Sequence, residues 1–361
     1  MAMLGAATAL LLAGCGGTSV TPSQSPTPAA TATAVPTATP LPSTAPLPPT
    51  TDVDAYVAVQ DGDIVPVDLA TDSLGTPLPT GTPPGEMVVL PDGETAYMVE
   101  DSAITPVDLT TRSVGSPIPV PVGSAPTALA ITPDGATGYA SVAPGGGAAG
   151  FVVPITLATG SLGSQVPVGV DPVAMIITPD GRTAYAVNLY AGTLTPIALP
   201  TDTPGAPIAV GGQPSAIAIA PSGAVAYVLS GGSDGGSITP VTLAENPAQD
   251  VVGAAISSAA LAGDTAIAIT PEGSSAFVVG PDGASQIALP AGRVLWSSRL
   301  AAFTAVAISP DGRTALLASS TTSLGANTLT VVSVATSQTV ESIPLDAGPV
   351  SVAYGPPSGS A

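Results

Sequence analysis

Acidic side chains are the main groups in this sequence that could do chemistry. The 361-residue chain has no histidine, no lysine, one cysteine and five arginines. Carboxylate and amide oxygens are the ligands that hard cations such as calcium prefer, and they also accept hydrogen bonds from polar partners. The candidate binding residues all fall in predicted loops, and they are Asp61, Asp63, Asp171, Asn188, Tyr190, Asp234, Asp264 and Asp346.

Two short motifs match known catalytic or metal sites only in part. The run from Gly231 to Gly235 fits the Gly-x-Ser-x-Gly pattern of serine nucleophiles, but no histidine is present to act as the base. Asp61-Gly62-Asp63 could begin a calcium loop, but Val65 stands where the third ligand belongs. Histidine is also the commonest general base near neutral pH. The sequence therefore predicts a protein that is not an enzyme, with no catalytic residue, metal or cofactor.

The charge of the chain limits its partners. The formal net charge is −20 at pH 7, with 25 acidic residues against five arginines. Nucleic acids and anionic lipid surfaces attract clustered lysine and arginine, which this chain lacks. We therefore predict no nucleic-acid partner and no direct binding to a membrane surface.

A repeated phrase shows which elements must position the candidate residues. "AITPDGATGYA" ends at Ala140, and close variants of it recur along the chain. The Pro-x-Gly turns of these phrases are 42, 46, 42, 50 and 39 residues apart, and they start at Pro91, Pro133, Pro179, Pro221, Pro271 and Pro310. A period near 40 residues, with abundant Gly, Pro, Val and Thr, is typical of four-stranded propeller blades.

Each unit reads as four strands with one aromatic or leucine residue in the second strand. The turn after the first strand has proline at its second position and glycine at its fourth. We predict that the recurring second-strand residues pack between blades as core, and they are Tyr56, Tyr97, Tyr139, Tyr185, Tyr227, Phe277 and Leu316. Their number predicts seven blades.

The two ends of the folded region complete each other. "GPVSVAYGPP" (348–357) reads as a first strand without a second, and "DAYVAVQDGDIVPVDL" (54–69) reads as a unit without a first strand. Pairing them closes a ring and removes exposed sheet edges. The predicted fold is therefore an all-β, seven-bladed propeller over residues 53–357, closed by its N- and C-terminal strands.

Strand direction divides the loops between two faces of the ring. The Pro-x-Gly turns all lie on one side, which we call the turn face. The loops between second and third strands, and the links between blades, lie on the other side, which we call the loop face. All the candidate binding residues belong to the loop face, whose loops also vary most in length.

The repeats resemble a known family. "VPVGVDPVAMIITPDGRTAYAVNLYAGTLTPIAL" and the unit before it are similar to the YVTN-type β-propeller repeat of bacterial and archaeal surface proteins. The resemblance covers residues 54–357 and implies a propeller at the cell surface. Tyr-Val-x-Asn survives only as "YAVN" (185–188), while other blades place Val59, Glu100 or Ser230 where the asparagine would be.

The N-terminal residues predict a lipid anchor. Residues 4–14 are small and apolar, and Leu12-Ala13-Gly14-Cys15 resembles the bacterial lipobox, whose cysteine receives a diacylglycerol thioether. No basic residue precedes this run, which is a departure from such signals. We predict a signal peptide over residues 1–15 with lipid attachment at Cys15, a Pro/Thr/Ala-rich disordered linker over 16–52, and a tail over 358–361.

Two classes of function remain. The sequence favours a monomeric, extracytoplasmic binding or scaffold module, held to the cell membrane by its lipid alone, whose loop face binds an unknown protein or glycan. The alternative is a calcium-assisted hydrolase, similar to propeller lactonases, with carboxylates at the mouth of the central channel. The second class requires several of the loop-face acids to converge on one point.

Overall fold

The computed structural model describes residues 53–90, 92–120, 125–231, 235–261, 263–299, 301–320 and 327–357. These residues form seven antiparallel sheets of four or five strands each, which we number as blades 1 to 7. The predicted signal peptide with Cys15, the linker to residue 52, the tail and Asp234 lie outside them. No helix within these ranges is long and apolar enough to span a bilayer.

The first three blades use the strands nearest the N-terminus. Blade 1 contains β1 (Val53–Val59), β2 (Asp63–Asp68), β3 (Ser73–Leu74) and β4 (Leu78–Pro79). Blade 2 contains β5 (Glu86–Val89), β6 (Thr95–Val99), β7 (Ala103–Asp108), β8 (Ser113–Val114) and β9 (Ile118–Pro119). Blade 3 contains β10 (Ala125–Ile131), β11 (Thr137–Ala143), β12 (Ala149–Thr156), β13 (Ser161–Leu162) and β14 (Val166–Val170).

The next two blades follow the same order. Blade 4 contains β15 (Pro172–Ile177), β16 (Thr183–Asn188), β17 (Thr193–Ala198), β18 (Thr203–Pro204) and β19 (Ile208–Ala209). Blade 5 contains β20 (Pro214–Ile219), β21 (Val225–Ser230), β22 (Gly236–Thr242), β23 (Val251–Val252) and β24 (Ile256–Ser258). Two 3₁₀ turns, Pro247–Gln249 and Ala259–Leu261, belong to the connections of blade 5.

The last two blades and the closing strand complete the ring. Blade 6 contains β25 (Ala266–Ile269), β26 (Ser275–Gly280), β27 (Gly283–Ala288) and β28 (Val294–Ser298). Blade 7 contains β29 (Phe303–Ile308), β30 (Thr314–Ser319), β31 (Asn327–Ser333) and β32 (Thr339–Leu345). The closing strand is β33 (Pro349–Pro357), which is the innermost strand of blade 1.

Closure of the ring is confirmed in the form predicted from the two ends of the repeat region. β33 pairs antiparallel with β1, with Val57 opposite Val352. The seven innermost strands (β33, β5, β10, β15, β20, β25 and β29) contact one another in that order, and β29 contacts β33 in turn. Each innermost strand therefore has an innermost strand of another blade on both sides, and the ring is closed.

The fourth strand is split into two short segments in blades 1 to 5, which the sequence reading did not anticipate. In these blades a proline lies in the third strand opposite the second-strand tyrosine, as Pro154 lies opposite Tyr139. Proline has no N–H to give the outer strand, so the ladder is interrupted there. Blades 6 and 7 have Gln286 and Val331 at this position, and each keeps a single outer strand.

The turn face is built from the repeated Pro-x-Gly turns. Gly135 and Gly181 have φ of +69° and +70°, a region open to glycine but strained for other residues. Neighbouring turns also pack together, since a Cβ on Gly181 would lie 3.3 Å from Cδ of Pro133 in the preceding blade. The same glycine therefore permits the turn and its close contact with the adjacent blade.

The hydrophobic core is divided among the interfaces between blades. The predicted core role of the second-strand residues is confirmed for Tyr97, Tyr139, Tyr185, Tyr227, Phe277 and Leu316, all of which are buried. Tyr56 is only half-buried. Each core cluster combines strands of adjacent blades, so folding of one blade depends on its neighbours.

Candidate functional site

The sequence-predicted candidates within the described residues, which exclude Asp234, lie toward the loop face but do not form one site. Asp61 and Asp63 flank the turn between β1 and β2, while Asp171, Asp264 and Asp346 precede innermost strands. Within the described ranges, no three Asp, Glu, His or Cys side chains lie together as metal ligands. The described acids therefore do not provide the ligand set that the calcium-assisted alternative requires.

Asn188 has a structural role that the sequence reading missed. Its side chain is fully buried, and its Oδ1 accepts a hydrogen bond of 3.0 Å from the Gly169 N–H in blade 3. Its Nδ2 donates to the hydroxyls of Thr193 and Thr195 in blade 4. We therefore correct the assignment of Asn188 to a ligand-binding surface, because its polar atoms are used to join two blades.

Tyr190 and Asp171 are close to one another on the loop face. The Tyr190 side chain is 69% exposed. Both residues line a small cavity of about 50 Å³, together with the loop of Gly145, Gly146 and Gly147 in blade 3. Their role in binding stays a prediction.

Asp264 is a buried carboxylate beside a second acid. Only 2% of the residue is exposed, and its Oδ2 has no hydrogen-bond partner within the described residues. Burial and the nearby charge of Asp282 raise the pKa of the Asp264 carboxyl to about 7, although the Arg299 guanidinium acts in the opposite direction. A proton on Asp264 removes the cost of its buried charge near neutral pH.

Glu86 is the second carboxyl with a pKa near 7, and the sequence reading did not select it. It begins β5 on the axis side of blade 2, where its Oε2 accepts a 3.0 Å hydrogen bond from the Leu129 N–H in blade 3. Burial raises the pKa of Glu86 to about 7, while that hydrogen bond acts to lower it. The residue is half-buried, so its carboxyl combines a shifted pKa with access to solvent.

Hydrogen-bond alternation shows that Glu86 faces the axis of the ring. The Thr132 N–H donates to the Thr137 carbonyl, so every second N–H of β10 points toward β11. Leu129 is an odd number of residues from Thr132, so its N–H points away from β11 toward the inner edge of the blade. There it donates its hydrogen bond to the Glu86 carboxylate. In blade 4, the bond from Thr178 N to Thr183 O gives the Met175 N–H the same inward direction.

The repeat itself contains the signal that identifies Glu86. Glu86 lies opposite Val99, which is two positions after the second-strand residue Tyr97. In each of the other six blades, one innermost-strand residue lies opposite the residue two positions after the repeated second-strand residue. Those residues are small, and they are Ala128, Ala174, Ala216, Ala266, Ala305 and Ser351. Asp264 likewise occupies the position of Pro126, Pro172 and Pro214. Both carboxyls are departures from the repeat.

Solved structures share this fold at low sequence identity. A functionally unknown protein from Desulfotomaculum acetoxidans is 15% identical, with a TM-score of 0.69, over 85% of this chain and 100% of that one. A candidate 6-phosphogluconolactonase from Bacteroides uniformis is 16% identical, with a TM-score of 0.66, over 84% of this chain and 100% of that one. The periplasmic gluconolactonase of Pseudomonas aeruginosa is 15% identical, with a TM-score of 0.65, over 84% and 99%. No protein-family model and no curated protein matches the sequence.

These similarities correct the prediction that the protein is not an enzyme. That prediction relied on the missing histidine, yet the same propeller architecture occurs in proteins described as lactonases. Identities of 15–16% show a shared fold only. In this chain, Glu86 provides a titrating group near neutral pH, so the absence of histidine is no longer an argument against acid–base catalysis.

Proposed function

We propose that this protein is a propeller hydrolase that opens small cyclic esters, with Glu86 as its general acid–base group. The observation that carries the proposal is the axis-facing carboxyl of Glu86, whose pKa of about 7 suits proton transfer near neutral pH. The lactonase names of two proteins with the same fold support this substrate class. A lactone also suits a site that lacks a nucleophile paired with histidine, because it needs a positioned water and a base.

The reaction uses one proton in both directions. The ionised Glu86 carboxylate takes a proton from water as the water oxygen bonds to the carbonyl carbon of the lactone. The ring C–O bond then breaks, and the protonated Glu86 returns the proton to the leaving oxygen, which gives a hydroxy acid. A backbone N–H that points inward, as that of Met175 in blade 4 does, would be a suitable donor for the developing oxyanion.

The Leu129 N–H orients the catalytic carboxyl. Within the described part of the chain, the Glu86 carboxylate accepts one hydrogen bond, which the Leu129 N–H donates to Oε2. One oxygen is therefore held by the wall of the ring while the other remains available to water. Because the donor is a backbone group of an innermost strand, its position is set by the closed ring.

The location we propose is the extracytoplasmic face of a membrane. The support is the lipobox-like Leu12-Ala13-Gly14-Cys15, the Pro/Thr-rich segment after it, and the resemblance of the repeats to YVTN-type surface proteins. A diacylglycerol thioether at Cys15 would hold the hydrolase at that membrane. The substrate would then be a small extracytoplasmic molecule.

Hydrolysis of glucono-δ-lactone and γ-butyrolactone by the purified protein tests this function. Proton release is followed with a pH indicator and corrected for spontaneous hydrolysis. We expect Glu86→Gln to lower the rate by about 10² or more, and the wild-type rate to rise with pH through about 7 as Glu86 ionises. Glutamine keeps an acceptor for the Leu129 N–H, so the fold is expected to persist.

Glu100→Gln is the matched control for that experiment. Glu100 directly follows β6 of blade 2, and its Oε2 accepts a hydrogen bond from the Thr105 hydroxyl of the same blade. Its replacement should leave hydrolysis unchanged. Equal rates for wild type and Glu86→Gln, or a flat pH profile, would contradict the proposed function.

A further inference from the structure

A cavity of about 450 Å³ lies between blades 4 and 5 on the turn face, at the opposite end of the ring from the loop face. Its wall includes the apolar Pro179 and Leu243 and the charged Asp180, Arg182 and Glu245. Pockets that hold small organic molecules commonly have volumes of this size, and the wall of this one is a mixture of polar and apolar groups. None of these residues belongs to the hydrolase site.

An insertion in blade 5 forms one wall of the cavity. The spacing between turns is 50 residues in this unit, against 42 in the unit before it. Four of these eight extra residues lie between β22 and β23, where the connection is eight residues long against four in blade 4, and this connection includes the 3₁₀ turn Pro247–Gln249. Leu243 and Glu245 at the start of this connection line the cavity.

Asp250 fixes the inserted connection in place. Its Oδ1 accepts a 2.8 Å hydrogen bond from the Ala244 N–H, directly before Glu245. Its Oδ2 accepts a 2.6 Å hydrogen bond from the Tyr185 hydroxyl of blade 4. Burial and the bond to Asp250 raise the pKa of Tyr185, so this donor stays protonated throughout the neutral range. The wall that carries Glu245 is therefore held to the neighbouring blade.

Among the described residues Arg182 forms no ion pair within 4.0 Å, although its guanidinium is near enough to help the Thr178 hydroxyl lower the pKa of Asp180. The ion pair found among the described residues joins Arg313 Nε to Asp311 Oδ2 at 3.6 Å, in the same Pro-Asp-Gly-Arg turn of blade 7. In blade 4, Asp180 Oδ1 instead accepts bonds from the Thr178 hydroxyl and the Arg182 backbone N–H. The guanidinium of Arg182 is a positive charge at the cavity in a chain whose net charge is −20.

We propose that this cavity binds an amino-acid-sized zwitterion. The carboxylate of the ligand pairs with the Arg182 guanidinium, whose forked donors suit a carboxylate. The ammonium group pairs with Glu245 across the cavity, and an aliphatic side chain contacts Pro179 and Leu243. This second site goes beyond the proposed hydrolase activity, because it uses other residues on the other face.

Titration calorimetry with L-leucine tests the proposal, with acetate and methylammonium as probes that carry one charge each. We expect leucine to bind more tightly than either single-charge probe. Arg182 and Glu245 are exposed, so Arg182→Gln and Glu245→Gln should each weaken leucine binding by about 3- to 5-fold, which corresponds to one solvent-exposed ion pair. Lactone hydrolysis should be unchanged in both variants, which separates this site from the proposed activity.

Arg313→Gln is the matched control because it changes the same turn position in a blade without the insertion. It should leave leucine binding unchanged. The proposal is overturned by no heat with millimolar leucine, by unchanged affinity in Arg182→Gln, or by equal losses in Arg182→Gln and Arg313→Gln. Acetate that binds as tightly as leucine would also overturn it, because the cavity would then be a simple anion site.

Discussion

The hydroxyl of Tyr185 in blade 4 donates a 2.6 Å hydrogen bond to Oδ2 of Asp250 in blade 5. A similar bond of 2.9 Å joins the Tyr139 hydroxyl in blade 3 to Asp202 Oδ1 in blade 4. In these two blades the repeated second-strand tyrosine therefore packs in the core and also forms a hydrogen bond to the next blade. Tyr97 and Tyr227 are equally buried, but their hydroxyls make no hydrogen bond within the described residues.

Removal of these hydroxyls should destabilise the ring selectively. Tyr185→Phe and Tyr139→Phe each remove a hydrogen bond to a carboxylate, which is worth roughly 1.5–3 kcal/mol of unfolding free energy. Tyr97→Phe and Tyr227→Phe serve as controls and should change stability by less than about 0.5 kcal/mol. Urea unfolding at pH 7 measures all four variants. Equal losses in both pairs would show that the aromatic rings alone account for stability at this position.

The architecture could be read from the sequence because the repeat fixes local and global structure together. Each Pro-x-Gly turn ends a strand at a defined residue, and each second-strand aromatic marks the same depth in its blade. The pairing of the two ends followed from one missing strand at each end, and β33 beside β1 confirms it. The split outer strands were missed because they depend on a proline in the neighbouring third strand, such as Pro154.

The candidate site was harder to predict because it is not in a loop. Variable loops are common places for function, and most of the candidate acids lie there. Glu86 lies instead in an innermost strand, at a position filled by alanine in five other blades. Its raised pKa comes from burial against blade 3, which no local sequence pattern reports. An alignment of the seven units by position identifies Glu86 as a departure from the repeat, and it distinguishes Asp264 from the other loop-face acids.

Stability should fall as pH rises from about 4.5 to 8, because two carboxyls hold protons more tightly in the folded state. The folded-state pKa values of Glu86 and Asp264 are both about 7, above the ordinary values of 4.5 and 3.8. Between these values and pH 7 the folded protein binds more protons than the unfolded chain, so the unfolding free energy decreases with pH. For Asp264, the unfolding free energy should decrease by on the order of 3 kcal/mol between pH 4.5 and 7.

Urea unfolding between pH 4.5 and 8 measures this dependence. Asp264→Asn mimics the protonated carboxyl, so it should be more stable than wild type at pH 8 and close to it at pH 4.5. Asp61→Asn, which changes an exposed acid on the same face, should leave the slope with pH unchanged. A wild-type stability that increases over this range, or an Asp264→Asn variant with the same slope, would contradict the assigned cause.

The proposed lipid anchor predicts the cellular location of the protein. Each buried CH₂ of an acyl chain contributes about 0.8 kcal/mol to membrane binding, and stable attachment requires more than one chain. Cys15→Ala should therefore move the protein from the membrane fraction to the soluble fraction of the envelope. Ser19→Ala, a change in the segment after the cysteine, should leave the distribution unchanged. Detergent-dependent retention of Cys15→Ala would show that something other than the thioether holds the protein.

The closing strand predicts how the chain responds to truncation. β33 is the innermost strand of blade 1, and its loss would expose the inner edge of β1. It would also remove the Ser351 hydroxyl, which accepts a hydrogen bond from the Met87 N–H of blade 2. A chain ending at residue 348 should therefore melt at a lower temperature without a single cooperative transition, and it should aggregate through the open edge. A chain ending at residue 357 keeps β33 and is the matched control, with an expected melting curve like that of the full chain. Calorimetry and light scattering distinguish the two, and an unchanged transition in the shorter chain would mean that the ring does not depend on joining its ends.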